Sequence, residues 1–279
     1  MALMKKLKTA QTILKTKSIR GFITTLRLKL DRSFRPDETK IVYDLIKNSS
    51  HSGLMIDVGA HHGSSLAPFA ELGWQVIAFE PDSNNRVVLE DSFSTWNNVI
   101  IDPRACSDQA QPEVTLFVSS ESSGVSGLSA FLESHHASEK VSVTTLTDAL
   151  NEYGFSAKPV DFLKIDTEGF DLMVLKGFPW AQSPHPEIIV CEFEDAKTLP
   201  LGYSFHQLAG FLVNKAYRLI ISEWYPVTSY GGLHRWRRFS TYPSELVDSQ
   251  GWGNIIATKD KEIYHQLCQL CKLDRPQTV

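Results

Sequence analysis

Acidic residues follow several short apolar segments of this chain, at the points where those segments would end as strands. These residues are Asp57, Glu80, Asp102, Asp166 and Glu192. The carboxyl ends of parallel strands meet at one edge of a sheet, and ligands bind beyond that edge. Any one of the five is equally well explained as a charge at a helix start. Five at one edge favour a functional site.

The first of these segments leads into a turn that contains two glycines. An apolar run over residues 54–56, which ends in Asp57, predicts a strand; Gly59 and Gly63 predict a turn, and the apolar residues that follow predict a helix. Glycines there let a ligand approach the backbone closely. Glu80, which follows the next strand, is placed to accept two ribose hydroxyls. Together they predict a site for an adenosine-containing cofactor.

The turn differs from one that binds a dinucleotide. A pyrophosphate site reads Gly-x-Gly-x-x-Gly, whereas this turn runs from Gly59 through Ala-His-His to Gly63 and lacks the middle glycine. Asp57, just before the turn, would repel a phosphate and suit a cation. S-adenosylmethionine carries an ammonium and a sulfonium but no phosphate, so the turn favours it over NAD. An ordinary strand-turn-helix is the alternative.

The remaining sequence alternates between strand and helix signals. Strands are predicted at residues 54–56, 74–79, 99–102, 113–118, 140–144, 160–165, 186–193, 217–224 and 252–258, and a long loop at 225–251. Such alternation predicts an α/β protein with a mostly parallel sheet and right-handed crossovers.

Composition limits the class of protein. The chain has 279 residues, 42% of them apolar, and no apolar run long enough to span a bilayer. Four scattered cysteines indicate reduced thiols and a cytoplasmic protein. Cys268 and Cys271 have the spacing of half a zinc site, but without a second pair they do not predict a metal.

Positive charge is concentrated at the start of the chain. The first 36 residues carry ten basic residues and one acidic residue, a net charge of +9, which leaves −13 for the rest of a chain of net charge −4. Interleaved apolar residues predict a basic amphipathic helical arm over residues 1–50, followed by one domain over residues 51–279. The arm could contact an anionic membrane peripherally, dock on a partner, or pack on the domain itself, which is the favoured alternative. The acidic remainder argues against nucleic acid as a partner.

Three segments resemble a known family. Residues 160–177, which include Lys-Ile-Asp166-Thr-Glu168-Gly, and the segments around Asp57 and Glu80 resemble the FkbM-type family of S-adenosylmethionine-dependent methyltransferases. The resemblance covers about residues 53–258. It implies a Rossmann-like, seven-stranded doubly wound sheet, mostly parallel with an antiparallel last strand, and methyl transfer to a hydroxyl. At one position where the family often has glutamate, this chain has Asp171.

The resemblance also implies positions for residues around S-adenosylmethionine. These residues are Asp57, Gly59, Ala60, Gly63, Glu80, Pro81, Ala105, Ser107, Asp166 and Glu168. Glu80 would hold the ribose hydroxyls, and Ala105 and Ser107 would lie beside the adenine. Asp166 would reach the methionine end or the acceptor, and Glu168 would order the site from the helix start.

Methyl transfer to an alcohol requires alignment, exclusion of water and a base within hydrogen-bond reach. The candidate bases are Asp166, Glu192 and His234, with a carboxylate favoured. An alternative is that Asp166, Glu168 and Glu192 hold a divalent cation that lowers the pKa of the acceptor. Spacing alone does not place three carboxylates around one ion, so no metal is predicted.

A loop rich in arginine and aromatic residues is the candidate for acceptor binding. Tyr230, Arg235, Trp236 and Arg237 could bind an anionic group and stack on a sugar ring. The alternative is a structural loop whose arginines pair with surplus carboxylates.

Two pairs of adjacent histidines, at 61–62 and 135–136, lack the spacing of metal ligands and are predicted to lie at the solvated surface.

The predicted function is an S-adenosylmethionine-dependent O-methyltransferase. Its acceptor would be a small molecule or a glycan, most simply a sugar hydroxyl of a glycan, glycolipid or glycosylated natural product. The alternative is a catalytically inactive cofactor-binding module that docks on a partner through the basic arm. The predicted location is the cytoplasm, with or without peripheral contact with a membrane.

Overall fold

The computed structural model describes residues 35–47, 52–228, 230 and 234–273, in which strands alternate with helices. The strands are β1 (Leu54–Val58), β2 (Gln75–Phe79), β3 (Val99–Asp102), β4 (Ala105–Cys106), β5 (Gln111–Ser119), β6 (His135–Thr144), β7 (Phe162–Ile165), β8 (Ile188–Glu194), β9 (Arg218–Trp224), β10 (Trp236–Thr241) and β11 (Trp252–Thr258). The helices are α1 (Glu38–Ile46), α2 (Ala67–Glu71), α3 (Ser83–Phe93), α4 (Leu146–Glu152), α5 (Asp171–Lys176), α6 (Asp195–Thr198), α7 (Phe205–Asn214) and α8 (Lys261–Leu270). A 3₁₀ turn, Leu199–Leu201, follows α6.

Eight of the strands form one sheet, in the order β10-β9-β11-β8-β7-β1-β2-β3. The strands from β3 to β8 in this order pair in parallel, and β11 runs antiparallel between β8 and β9. This confirms the predicted α/β fold with a mostly parallel sheet and an antiparallel last strand.

The large sheet has one strand more than the seven that the resemblance implied. Residues 236–241, within the segment predicted as a long loop, pair antiparallel with β9 as the edge strand β10. The prediction of a loop is therefore wrong for these residues. The polar and aromatic composition of these residues is not typical of a strand. It is compatible with one here because Arg238 pairs across the strands with the fully buried Glu223 of β9.

A second, three-stranded sheet has the order β4-β6-β5 and its own small core of Ala105, Leu116, Val141 and Val143. The segment between β5 and β6, residues 120–134, contacts the body of the protein near the carboxyl end of β2. An antiparallel β-bridge joins Gly127 of this segment to Phe117 of β5.

Helices cover both faces of the large sheet. Helices α1, α2, α3 and α8 pack on one face, and α4, α5 and α7 pack on the other. Aspartates start several of them: Asp82 accepts hydrogen bonds from the amides of Asn84 and Asn85, and Asp260 does the same for α8. Cys268 and Cys271 are free, buried thiols at the inner side of α8.

Helix α1 is part of this packed body. The indole of Trp224 donates to Glu38 at 3.3 Å, and Val42 is fully buried against the face that α8 also covers. Most of the predicted basic arm, residues 1–34, lies outside the described residues, so the division of the chain at residue 50 stays a prediction. Among the helices of the described residues, none has the length and apolar character needed to cross a membrane.

Candidate active site

A cavity of about 560 Å³ opens at the carboxyl ends of β1, β2 and β7. Ligand pockets have volumes of about 300–1,000 Å³. The cavity is lined by the turn after β1, the ends of β2 and β7, residues 123–128 and part of α1. The residues predicted from the sequence that line it are Gly59, Ala60, Glu80, Pro81, Ala105, Asp166 and Glu168.

The turn after β1 uses most of its own amide groups. The amides of Gly59 and Ala60 both donate to the carbonyl of Phe79 at 3.0 Å, and the amide of Gly63 donates to Ala60 at 2.8 Å. The amide of His61 donates to Glu80 at 2.7 Å. A pyrophosphate is bound by free amides at such a turn. Because these four are already occupied, the turn does not suit a dinucleotide.

The glycine at residue 59 is required by its surroundings. Its φ is +83°, and a Cβ atom built there would lie 1.9 Å from the carbonyl oxygen of Asp166. The ends of β1 and β7 therefore touch through backbone atoms alone. This close approach brings Asp166 to the edge of the cofactor turn.

Glu80 is fixed at the end of β2 by the backbone. Its two carboxylate oxygens accept hydrogen bonds from the amides of His61 at 2.7 Å and Asp82 at 3.0 Å. Burial raises the pKa of Glu80 to about 7, although both amides act to lower it. The side chain of Asn85 is a third hydrogen-bond partner of Glu80. A carboxylate has about four acceptor positions, so Glu80 can still accept from a ligand hydroxyl such as that of a ribose.

Asp57 lies behind the turn rather than in the cavity. It is fully buried, accepts a hydrogen bond from Ser65 and lies 3.2 Å from the ammonium of Lys164. Lys164 also lies 3.5 Å from Asp166. Burial alone would lower the pKa of Lys164, but Asp57 and Asp166 reverse this and raise it. Asp57 thus positions Ser65 and Lys164, which both line the cavity.

One feature of the sequence indicates that Lys164 is part of a site. It is the only charged residue inside the apolar strand β7, Phe162–Ile165. A charge in a buried strand needs a partner.

Two carboxylates face the cavity beyond β7. The side chain of Asp166 is 46% exposed, whereas that of Glu168 is 11% exposed. Glu168 adopts a left-handed backbone conformation with φ of +54°, which is strained for a residue other than glycine. Burial raises the pKa of Glu168 to about 7 in spite of the nearby Lys197. The carboxylate of Asp166 is therefore open to a ligand, and the pKa of Glu168 lies near neutral pH.

Lys197 lies at the centre of a buried group of carboxylates. Its ammonium is 2.5 Å from Glu168, 3.3 Å from Glu192 and 2.7 Å from Glu194. The phenol of Tyr230 donates to Glu194 at 2.9 Å. Burial would lower the pKa of Lys197, but the three carboxylates outweigh it and raise the pKa well above the usual value.

The rings of Phe131 and Tyr230 lie 5.3 and 5.5 Å from the ammonium of Lys197, within the range of cation–π contacts. The sequence did not reveal this lysine as part of the site, because the residues around it come from four separate segments.

The carboxylates also include the set considered for a metal ion. Among the described residues, one oxygen each of Asp166, Glu168 and Glu192 lie within 4.8 Å of one another. Lys197 already places a positive charge against two of the three. Burial raises the pKa of Glu192 well above its ordinary value, and its side chain does not line the cavity.

Asp102, the remaining acidic residue predicted at this edge of the sheet, is paired with Arg104 and Tyr153.

The wall beyond β2 is mostly apolar. It is formed by Ala105, Cys106 and Leu116 of the small sheet. Ser107 does not join it, since its hydroxyl donates to Asp108 and its side chain is buried away from the cavity. An apolar slot next to Glu80 suits a planar base attached to a ribose.

Residues 123–128 close the same side of the cavity. Asn85 donates to the carbonyl of Ser123 at 2.9 Å, and Ser126 donates to Asp82 at 3.0 Å. These contacts tie the segment to the start of α3. The sequence showed a serine-rich stretch here, but nothing in its composition placed it over the site.

One histidine of each pair, His62 and His136, is exposed as predicted, but His61 and His135 are not. His61 is half-buried, lines the cavity, stacks on His62 with centroids 3.7 Å apart and contacts Ser123 at 3.1 Å. Burial and the adjacent His62 lower the pKa of His61 to about 4. His135 lies in β6, and its ring contacts the backbone of Val125 and Phe131. Both corrections follow from residues 120–134, which cover these rings.

The described residues of the loop predicted to bind the acceptor, Tyr230, Arg235, Trp236 and Arg237, do not line the cavity. Arg235 and Arg237 stack on Tyr225, 4.6 and 4.1 Å from its ring centre. Trp236 donates to Ser222 at 3.2 Å. These contacts correspond to the structural alternative.

His234 packs edge-on against Trp252, with centroids 5.1 Å apart, and does not line the cavity. Of the three candidate bases, only Asp166 does so.

S-adenosylmethionine fits the groups that line this cavity. Glu80 can still accept from a ligand hydroxyl beside an apolar slot, and Asp166 and Glu168 provide negative charge for an ammonium and a sulfonium. The turn amides that a phosphate would need are occupied within the protein.

Comparisons with known proteins identify a family for this chain. The family model described as the methyltransferase FkbM domain matches residues 57–219. No curated protein matches the sequence.

Similar solved structures include three methyltransferases. A putative O-methyltransferase from Klebsiella pneumoniae is 10% identical, with 86% of this chain and 89% of that chain covered and a TM-score of 0.44. The precorrin-6y C5,15-methyltransferase from Geobacter metallireducens is 12% identical, with coverage of 82% and 92% and a TM-score of 0.43. An O-methyltransferase from Bacillus cereus in complex with SAH is 11% identical, with coverage of 86% and 89% and a TM-score of 0.42.

The sequence match spans more than half of the chain and includes the turn, Glu80 and the carboxylates after β7. The chain therefore belongs to the FkbM family of methyltransferases, and its cofactor is S-adenosylmethionine.

Proposed function

We propose that this protein is an O-methyltransferase that acts on a sugar hydroxyl of a glycan, a glycolipid or a glycosylated natural product. One observation carries the proposal: the carboxylate of Asp166 is exposed in the cofactor cavity, at the point where the ends of β1 and β7 touch. A hydroxyl is a weak nucleophile that must lose its proton as the methyl group arrives, so it needs a base there, whereas a neutral amine is nucleophilic without one.

The residues present can perform the steps that such a transfer requires. Bound S-adenosylmethionine supplies a methyl group on a positively charged sulfur. Glu80 holds the ribose, and the occupied turn amides keep the backbone of the turn fixed. Asp166 accepts the proton of the acceptor hydroxyl, and the ammonium of Lys164 lies 3.5 Å from its carboxylate. The walls of the cavity limit access of water to the methyl group.

Asp166→Asn is expected to abolish methylation in cells by removing the base, beyond any loss of cofactor affinity that comes from removing one of the two carboxylates beside the cofactor. General-base catalysis contributes a factor of about 10²–10⁴. The test is mass spectrometry of glycans and small metabolites from cells with the wild-type gene, without it and with the variant. A product heavier by one methylene unit should appear only with the wild type.

A methyl group found on nitrogen or carbon would contradict the proposal. Cofactor binding with no product under any condition would instead favour the alternative of an inactive docking module.

Glu80→Gln is expected to weaken binding of S-adenosylmethionine by about 10- to 100-fold, since a hydrogen bond to a charged group contributes about 1.5–3 kcal/mol. Wild-type affinity should rise as the pH increases through about 7, because deprotonated Glu80 is the better acceptor. Isothermal titration measures both. Glu168 titrates in the same range in the wild type and in Glu80→Gln. The difference between their two profiles of affinity against pH therefore reports Glu80.

The exposed Glu90 of α3 provides a matched control, and Glu90→Gln should bind the cofactor as the wild type does. Equal affinities for the wild type and Glu80→Gln would contradict the assigned role of Glu80.

We also propose that the basic arm before residue 36 contacts anionic lipid. The support is its net charge of +9 with interleaved apolar residues. Co-sedimentation with phosphatidylserine-containing vesicles should fall on deletion of residues 1–34 and on addition of salt. Binding that is unchanged by the deletion would contradict this proposal.

A further inference from the structure

The cavity extends beyond the part that the cofactor groups account for. On the β2 side it is bounded by Glu80 and the small sheet. Its lining also includes Ser65, Lys164 and a part formed by four residues at the start of α1. We call this part the α1 lobe, and its α1 residues are Asp37, Thr39, Lys40 and Tyr43. Phe69 of α2 lines the cavity as well and contacts Tyr43 edge to face, with centroids 5.7 Å apart.

The wall formed by α1 is held in place by the rest of the domain. Asp37 caps the helix by accepting from the amide of Lys40 at 2.9 Å. Glu38 accepts from Trp224 of β9, and Val42 is fully buried on the face that α8 covers. Because these anchors come from β9 and α8, the polar face of α1 is presented to the cavity by packing rather than by a free loop.

The groups of the α1 lobe combine aromatic and hydroxyl chemistry with little net charge. Thr39 and Tyr43 are half-buried and offer hydroxyls, and the Tyr43 ring offers an apolar surface. Lys40 is paired with Asp44 at 2.5 Å, and Asp37 carries the opposite charge nearby. A phosphate would require a surplus of positive charge. A purely apolar acceptor would leave the hydroxyls without partners on burial.

An uncharged pyranose ring meets both requirements. Its C–H face can pack on an aromatic ring, and its hydroxyls can exchange hydrogen bonds with Thr39 and Tyr43. Arg235, Trp236 and Arg237 do not line the cavity, and their side chains contact Tyr225, Ser222 and Glu223.

We infer that α1 holds the acceptor sugar, through the hydroxyls of Thr39 and Tyr43 and the ring of Tyr43, and that Tyr230, Arg235, Trp236 and Arg237 do not. This inference rests on the proposed function and assigns its acceptor-binding residues. It makes α1 a determinant of substrate specificity that is separate from the cofactor site.

The test uses the full chain saturated with S-adenosylhomocysteine, so that the cofactor site is filled and no transfer occurs. The probes are the methyl glycosides of glucose, galactose, mannose and rhamnose, and saturation-transfer NMR measures their dissociation constants. Thr39→Val and Tyr43→Phe each remove one hydroxyl and should weaken binding of the preferred glycoside by about fivefold, the effect of about 1 kcal/mol. Tyr43→Ala also removes the ring and should weaken it more.

The affinity for S-adenosylhomocysteine, measured by isothermal titration, should not change in these variants. Tyr43 packs on Phe69, so the two hydroxyl deletions keep the test valid if Tyr43→Ala fails to fold. Val213→Ala, at an exposed position on α7, is the matched control and should bind the glycoside as the wild type does.

The inference is overturned if Thr39→Val and Tyr43→Phe leave glycoside binding unchanged. Loss of glycoside binding in Arg235→Ala would assign the acceptor to the loop, and the proposed function would stand. Binding of S-adenosylhomocysteine without binding of any glycoside overturns both the inference and the sugar class. Failure to bind S-adenosylhomocysteine would overturn the proposed function itself.

Discussion

Replacing Lys197 with methionine is expected to destabilise the folded protein by about 3–5 kcal/mol, the effect of removing one partner from a buried charge group. Glu168, Glu192 and Glu194 would lose their common cation and repel one another in a buried site. Urea unfolding at neutral pH measures the change. Lys140→Met removes an exposed ion pair with Glu113 and should change stability by less than about 1 kcal/mol.

The effect of Lys197→Met should depend on pH in one direction. Carboxyls without a cation have pKa values raised by burial, so the variant loses stability as the pH rises through those values and regains it as the carboxyls become protonated. The difference in unfolding free energy between Lys197→Met and the wild type should therefore be smaller at about pH 5 than at about pH 8. A difference that grows on acidification would contradict the assignment of Lys197 as the charge partner.

Gly59→Ala is expected to destabilise the protein by about 2–5 kcal/mol. The left-handed conformation costs alanine about 1–2 kcal/mol, and overlap in a packed site costs about 1–3 kcal/mol more. The overlap is with the carbonyl of Asp166, so the end of β7 must move away from the cofactor turn. Urea unfolding gives the stability, and isothermal titration should show loss of S-adenosylmethionine binding.

Gly73 separates the two contributions. Its φ is +80°, close to that of Gly59, but a Cβ atom there would have no neighbour within 4 Å. Gly73→Ala should therefore cost only about 1–2 kcal/mol and leave cofactor binding unchanged. If the two variants were equally stable, the close contact between β1 and β7 would not be a constraint on the site.

The cofactor side of the site could be predicted from the sequence because its signals are local. A strand, a turn with Gly59 and Gly63, and an acid after the next strand are each readable within a few residues. Parallel pairing then brings the strand ends together without any further information. Asp166 and Glu168 reach the cavity for the same reason.

The acceptor side could not be predicted because it depends on packing between distant segments. Helix α1 reaches the cavity through contacts with Trp224 and the core beneath α8. The arginines at 235–238 suggested a ligand site, but the fully buried Glu223, on the neighbouring strand, needs them as partners. Nothing in the spacing of these residues distinguishes a substrate contact from such cross-strand pairing.

The position of β11 has a consequence for biosynthesis. The strand is the last in the described sequence, yet it lies between β8 and β9, which were made earlier. While a ribosome is still extending the chain, β8 has no neighbour on that side, and the β9–β10 hairpin has no sheet to join. Newly made chains must therefore keep two exposed strand edges apart from other proteins until residues 252–258 emerge. Nonsense truncation before this strand would leave those edges permanently open and make the product prone to aggregation.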